Sequence, residues 1–205
     1  MGYRKEFMMT YGELKKRIYS LLDIDGREEE TAGSLAYLVR DGLTRTINAV
    51  ARKAAVLLKS VYKTETLYFE KSDIGLCASL PADAAIIKEI CKEKRRYGAV
   101  CFERIGDKLY FFGTKEGFYT VGYYAYPQPL AEGVRDGAVL EAGDVFWDAV
   151  AYGVCAELCT RVYPSDMKRY MRLATEFDSR MTADSSSAGD TRIRDGVFSK
   201  KRGIG

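Results

Sequence analysis

The chain has 205 residues, carries a net charge of +3 and contains no histidine. That length fits one domain or two small ones, and it can bury a core without disulfide or metal staples. The absence of histidine excludes Ser-His-Asp catalysis, Cys-His catalysis and zinc sites with histidine ligands. The small net charge does not by itself indicate a nucleic-acid-binding protein, and no apolar run approaches the roughly 20 residues of a membrane span.

The five cysteines are an odd number without paired spacing, which predicts reduced thiols and synthesis in a cytosolic compartment. Cys155 and Cys159 lie four residues apart, on one face of a predicted helix. Since free cysteine is commonly buried, we interpret these two as core thiols rather than metal ligands.

A first helix is predicted to begin at a capping box formed by Thr10 and Glu13 and to run to about Asp23. The basic triplet at 15–17 is interpreted as its solvated face. The opposite, apolar face is predicted to comprise Leu14, Ile18, Leu21 and Leu22.

A long second helix is predicted from about Glu28 to about Tyr62, because apolar residues recur at steps of three or four along this stretch. At ~1.5 Å per residue it would be roughly 45 Å long, more than a compact small core requires. Gly33 and Gly42 each weaken the helix by about 1 kcal/mol relative to alanine, so a break near either glycine is compatible with the pattern.

From Lys63 the pattern changes to that of strands, with strand-forming residues between Thr64 and Phe69. Gly106-Asp107 predicts a hairpin turn, and the alternation around it predicts a small antiparallel sheet over 98–126. This sheet is rich in tyrosine and phenylalanine, which we interpret as cross-strand pairs rather than as a surface for base stacking.

Residues 82–93 do not fit one pattern alone. Pro81 followed by small residues is typical of a helix start, and Ile86, Ile87 and Ile90 allow a helical face. The charged run at 92–96 is interpreted as a solvated turn.

Two further helices are predicted between Gly143 and Met181, joined at a corner where Pro164 disfavours helix. Asp144 is the predicted cap of the first helix and Ser165 that of the second. The predicted apolar faces are Trp147, Ala151, Val154, Leu158 and Val162 on the first helix, and Met167, Tyr170, Met171, Ala174, Phe177 and Met181 on the second.

Residues 184–205 are predicted to be flexible, because the stretch from Ser185 to Gly189 is small and polar. Beyond it, three isolated apolar residues lie among five basic ones. This spacing fits an arm that becomes ordered against a partner, and it equally fits a fraying terminus.

The sequence contains no Walker loop, no G-x-G-x-x-G motif and no C-x-x-C motif. The acidic cluster between Asp23 and Glu30 does not have the ligand spacing of a calcium loop. We therefore predict no catalytic residue, metal site or cofactor.

Three stretches follow one another in a recognisable order. The first is the capped start at 10–22, the second combines Leu80-Pro81-Ala82-Asp83 with the aromatic run 117–127, and the third runs from 149 to 181 through the corner 163–166. This order resembles the head-to-tail adaptor proteins of tailed bacteriophages, also called head-tail connector or neck proteins. The resemblance implies a strand at 86–92, against the local helical pattern.

The resemblance further implies an α+β fold in which N- and C-terminal helices form a helical bundle. That bundle would carry an inserted small antiparallel β region and a flexible C-terminal arm. The implied divisions are the first helices at 1–63, the β region at 64–142, the helix pair at 143–183 and the arm at 184–205.

Adaptors of this kind have no catalytic task, so the resemblance implies a structural role at the head-tail interface of the virion, after synthesis in the host cytoplasm. Copies would form a ring, usually dodecameric, beneath the portal protein, extending the DNA channel and carrying a stopper or tail-completion protein. Genomic DNA would pass without sequence-specific binding, and no membrane is involved. The docking arm on the portal would comprise Arg192, Ile193, Arg194, Val197, Phe198, Lys200, Lys201 and Arg202.

Two other hypotheses stay open on the sequence. One is a nucleic-acid-binding module that uses the basic tail and the tyrosine-rich sheet. The other is a small enzyme with a carboxylate or cysteine site.

Overall fold

A computed structural model describes residues 8–24, 39–40, 42–92, 95–113 and 115–187. Within these ranges, helices precede and follow a continuous series of strands. The helices are α1 (Tyr11–Leu22), α2 (Leu43–Leu58), α3 (Asp144–Val162) and α4 (Met167–Ser187). The strands are β1 (Tyr62–Ser72), β2 (Gly75–Ser79), β3 (Ala84–Lys92), β4 (Arg95–Tyr97), β5 (Phe102–Ile105), β6 (Lys108–Phe111) and β7 (Gly117–Ala125).

Helix α1 begins as the sequence predicts. The hydroxyl of Thr10 accepts a hydrogen bond from the Glu13 backbone at 3.3 Å, and the Glu13 carboxylate accepts one from the Thr10 backbone at 2.7 Å. The predicted capping box is therefore confirmed, and it satisfies two backbone donors that the helix itself leaves without partners.

Helix α2 is much shorter than the predicted helix. Gly42 precedes it at a positive φ of 82°, a conformation that glycine adopts without steric cost, and Lys59 ends it in the left-handed region. The prediction of a helix continuing to Tyr62 is wrong, because Tyr62 is the first residue of β1. The other candidate break, Gly33, lies outside the described residues.

Helix α3 is the centre of the helical part, since α1, α2 and α4 all pack against it. Its predicted apolar face is confirmed, and further buried residues lie on its other sides. The predicted cap is wrong: the helix begins after Gly143, whose position carries no side-chain cap, and Asp144 is its first residue.

Helix α4 departs from its prediction at both ends. Asp166, not Ser165, caps it by accepting a hydrogen bond from the Arg169 backbone at 2.9 Å. The helix continues to Ser187, beyond the predicted start of the arm at 184, and residues 188–205 lie outside the described part of the chain.

The inward face of α4 is also rotated from the predicted one. Met167 and Met171 are 65% and 55% exposed, whereas Leu173, Phe177 and Met181 are buried. The two exposed methionines lie on the side of the helix that faces away from α3, so their place in the predicted stripe is wrong.

The predicted fold of a helical bundle with a small inserted sheet is wrong. Seven antiparallel strands form one curved half-barrel sheet in the order β4-β3-β7-β1-β2-β6-β5, beside the four described helices. The sheet is large because β1 is shared: its first eight residues pair with β7 and its last three with β2. The division of the chain at 63, 142 and 183 stays a prediction.

Strand β3 resolves the ambiguity at 82–93. It pairs with β7 on one side and with β4 on the other, so residues 86–92 form a strand, as the resemblance implies and against the local helical pattern. The hairpin turn at Gly106-Asp107 is confirmed between β5 and β6, with Gly106 at a φ of 63°.

Two apolar cores result from this arrangement. The four helices bury the first, with Trp147 among its largest side chains. The concave side of the sheet buries the second, in which the rings of Phe69, Phe111, Tyr119 and Tyr97 meet edge to face at 4.9–6.0 Å. The helices and the sheet are therefore each stabilised by a separate cluster of buried side chains.

Candidate interaction surfaces

A charged network joins the sheet to the helical part. Lys63 near the start of β1 donates to the Asp83 carboxylate at 2.9 Å and contacts the Glu141 carboxylate at 3.0 Å. The hydroxyl of Tyr123 on β7 donates to the other oxygen of Asp83 at 3.2 Å. We call these four residues the Lys63 network.

The network favours the protonated forms of the Lys63 amine and the Tyr123 phenol. Hydrogen bonds with Asp83 and then Glu141 raise the pKa of Lys63 well above its usual range. Burial, followed by the charge of Asp83, raises the pKa of Tyr123 to about 12. The amine therefore stays protonated and the phenol stays neutral near pH 7.

A cleft of about 390 Å³ opens beside the Lys63 network, between α2 and the segment after β7. The Arg52 guanidinium lies 4.4 Å from the centre of the Tyr126 ring in a cation–π contact. Asn48 fixes the same segment, donating to the Leu130 carbonyl at 2.9 Å and accepting from its backbone at 2.8 Å. These contacts attach α2 to the end of the sheet where β7 finishes.

The thiols in the helical core are unreactive. Cys155 and Cys159 are buried, which confirms their interpretation as core residues. Burial raises the pKa of both thiols, so little thiolate is present at neutral pH. Within the described residues, no group of three or more acidic or cysteine side chains is placed to hold a metal ion.

The convex side of the sheet carries aromatic pairs, as predicted. Tyr62 meets Tyr124 edge to face at 5.6 Å, and Tyr68 meets Phe118 at 5.1 Å, each pair joining β1 to β7. The Tyr62 hydroxyl reaches across the strand at Gly122 to donate to Glu89 at 3.0 Å. The rings therefore stabilise the sheet through cross-strand contacts.

One end of the sheet has an exposed apolar surface with acidic and basic residues around it. Tyr68 and Phe118 lie next to the end of β1, where the Lys71 backbone donates to Glu116 at 3.0 Å. A Cβ atom at Gly75 in the following strand would lie 3.0 Å from the Phe111 carbonyl oxygen and 3.8 Å from the Phe112 ring. We call this the tip surface; its exposed apolar members are Tyr68, Ile74, Phe112 and Phe118, its acidic members are Glu70, Asp73 and Glu116, and its basic members are Lys71 and Lys115.

Helix α2 has a second exposed surface, which is basic. The helix contains three basic residues and no acidic one, and its exposed positions recur with helical spacing. We call this the α2 surface; its members are Arg45, Ala49, Arg52, Lys53, Val56 and Leu57. A groove of about 440 Å³ runs along it, between α2 and α3.

One interaction escaped the sequence analysis. Arg17, assigned there to a solvated face, donates to Asp148 on α3 at 3.0 Å, and Arg180 on α4 donates to the other oxygen of Asp148. Both guanidinium groups also lie over the ring of Tyr152. Asp148 is far in the sequence from Arg17 and from Arg180, and no local sequence pattern predicts such a contact.

The predicted docking arm lies outside the described residues, so the structure gives no position for Arg192, Ile193, Arg194, Val197, Phe198, Lys200, Lys201 or Arg202. Among the described helices, none is long and apolar enough to cross a membrane. No protein-family model matches the sequence, and a comparison with curated proteins gives no match.

Proposed function

We propose that this protein is a structural head-to-tail adaptor of a tailed bacteriophage, whose copies form a ring beneath the portal protein. The observation that carries the proposal is the presence of two separate exposed apolar surfaces, the tip surface at one end of the sheet and the basic α2 surface. A ring of identical subunits needs two different, complementary faces on each copy. The resemblance of the sequence to adaptor proteins supports the same role.

The ring would extend the DNA channel and provide a platform for a stopper or tail-completion protein at the head-tail interface of the virion. A net charge of +3 suits a channel through which DNA must pass. Each additional phosphate contact would strengthen retention of the DNA, so a strongly basic subunit would hinder passage.

The contacts of the Lys63 network support a structural role. Lys63 is engaged with two carboxylates, and Tyr123 is neutral at physiological pH. In a structural protein such a network has a direct use, because it attaches β1 and β7 to the segment that leads into α3.

The proposal is tested by co-expressing the full-length protein with the portal protein encoded in the same genome. We expect the two to co-purify as a ring complex, and we expect a variant lacking residues 190–205 to lose the complex. Thermal unfolding of the truncated variant serves as the control for folding. Failure of the full-length chain to bind the portal would refute the adaptor role, and unchanged binding of the truncated chain would remove the arm from the proposal.

A nucleic-acid-binding module is the second candidate, and one observation favours it. Lys88 lies 5.0 Å and 5.8 Å from the ring centres of Tyr62 and Tyr124 on the convex side of the sheet, so a cation accompanies exposed aromatic rings. This reading predicts filter binding of single-stranded DNA that falls steeply with salt. The absence of binding at low salt would refute it.

A further inference from the structure

We propose that Arg104 is a latch that holds the edge strand β5 against β3, and that the sheet opens between these two strands when the latch is released. The inference concerns the folded chain alone and does not depend on the adaptor role. Three features carry it: the strand edges that meet there, the hydrogen bonds that cross between them and the small apolar area that β5 buries.

Two strand edges without a partner strand among the described residues lie next to each other. On its outer side β3 pairs with β4 only at 90–92, so its edge at 84–89 is left without a ladder. Strand β5 pairs with β6 alone and is the last strand of the sheet order. Only the short turn at Ala99–Cys101 separates β4 from β5, which keeps the two edges close together. We call the line between the 84–89 edge and β5 the seam.

Arg104 on β5 crosses the seam. Its Nη1 donates to the Ala84 carbonyl oxygen at 2.9 Å and to that of Ala85 at 3.1 Å, and its Nε donates to the Gly106 carbonyl oxygen at 3.0 Å. The bond to Gly106 fixes the guanidinium beside the turn of its own hairpin, and the other two attach that hairpin to β3. Because charged donors form strong hydrogen bonds, this one side chain takes the place of a backbone ladder between β3 and β5.

Strand β5 itself contributes little apolar burial. Phe102 is half-buried, whereas the three residues that follow it are exposed, with Ile105 at 49%. The neighbouring strand β6 is anchored by the fully buried Leu109 and Phe111, so it stays in place when β5 moves. Segments with few buried apolar contacts open locally at a lower free energy than the whole fold. We therefore expect the sheet to open at the seam before its centre, with Arg104 as the contact that keeps the seam closed.

The experiment is amide hydrogen exchange of the full-length protein, read by NMR at residues 101–106 and, as an internal reference, in β1 and β7. Arg104→Met keeps the aliphatic stem and removes the donors. We expect this variant to exchange roughly tenfold faster at 101–106, the effect of losing a hydrogen bond from a charged donor, and to be unchanged in β1 and β7. Arg104→Lys keeps the charge without the planar guanidinium and should exchange at an intermediate rate. Lys108→Ala is the matched control, because it removes one positive charge from the exposed side of the same hairpin and should leave exchange unchanged.

Cys101 gives a second readout, because its half-buried thiol packs against the second core immediately before β5. In Arg104→Met we expect a thiol reagent, located by mass spectrometry, to label Cys101 faster than in the unmodified protein. Labelling of Cys155, which is buried in the helical core, should not change.

Three results would overturn the inference. Unchanged exchange at 101–106 in Arg104→Met would reduce Arg104 to an ordinary surface contact. Equal acceleration in β1 and β7 would show that the whole sheet loosens and that the seam does not open separately. A loss of the folded circular dichroism spectrum in Arg104→Met would place Arg104 among the residues that the entire fold requires.

Discussion

Gly153 provides the sharpest test of the helical packing. It lies in the middle of α3, where a Cβ atom would be 2.7 Å from Cγ1 of Val50 on α2 and 2.8 Å from Cε2 of Phe177 on α4. Because the two neighbours belong to two different helices, a Gly153→Ala variant can relieve the overlap only by moving both helices or both side chains.

The expected magnitude follows from two opposing effects. Alanine in place of glycine favours a helix by about 1 kcal/mol, whereas inserting an atom into a filled core costs about 1–3 kcal/mol, and contacts this short on two sides lie toward the upper part of that range. We therefore expect a net loss of about 1–2 kcal/mol. In a protein of this size that loss lowers the Tm by roughly 2–8 °C.

The assay is thermal unfolding followed by circular dichroism. Gly98→Ala is the matched control, since Gly98 has a φ of −84° and no heavy atom lies within 4 Å of its Cβ position. The double variant Gly153→Ala with Val50→Ala removes one of the close atoms and should lose less than the sum of its two single changes. A Gly153→Ala variant as stable as the unmodified protein would refute this account of how the three helices pack.

Two further predictions concern charged groups. Asp148→Ala leaves Arg17 and Arg180 without the carboxylate that joins them, so we expect the free energy of unfolding, measured in urea, to fall by about 1–3 kcal/mol. Glu157→Ala is the control, and a smaller loss there would attribute the effect to the contact of Asp148 with the two arginines. The raised pKa values of Lys63 and Tyr123 mean that the folded state holds these protons more tightly than the unfolded state. The contribution of the two protonated groups to the stability of the fold is therefore complete below about pH 10 and declines as the pH approaches about 12. Tyr123→Phe should reduce the difference between the free energies of unfolding measured at about pH 10 and about pH 12. An unchanged difference would contradict the raised pKa of Tyr123 in the folded state.

The features that the sequence predicted correctly are those determined by neighbours in the chain. The capping box at Thr10 and Glu13 and the hairpin turn at Gly106 are local hydrogen-bonding patterns, and both are confirmed. The apolar face of α3 is equally local, because helical spacing alone decides which of its residues share a side. The predicted cap of α4 was wrong by one residue, Ser165 instead of Asp166. Both side chains can cap a helix, and the sequence alone does not decide which of two adjacent residues does so.

The features that were missed depend on partners distant in the sequence. The sheet is large because β1 pairs with both β7 and β2. The sequence of β1 alone does not indicate that this strand has two partners. Met167 and Met171 have helical spacing but lie on the exposed side of α4, because packing against α3 decides which apolar side of the helix is inside. The tip surface likewise exists only once distant strand ends meet.

The shared strand β1 determines how the protein responds to mechanical load. A pull on the turn that follows Ser72 travels along one covalent strand to Val61, whose carbonyl accepts a hydrogen bond from Ala125 at 2.7 Å. Since the hydrogen bonds of an antiparallel pair lie across the strands, tension along β1 shears all eight residue pairs with β7 together instead of opening them one by one. A molecule stretched in this direction would keep its shape up to a high force and then yield in a single step.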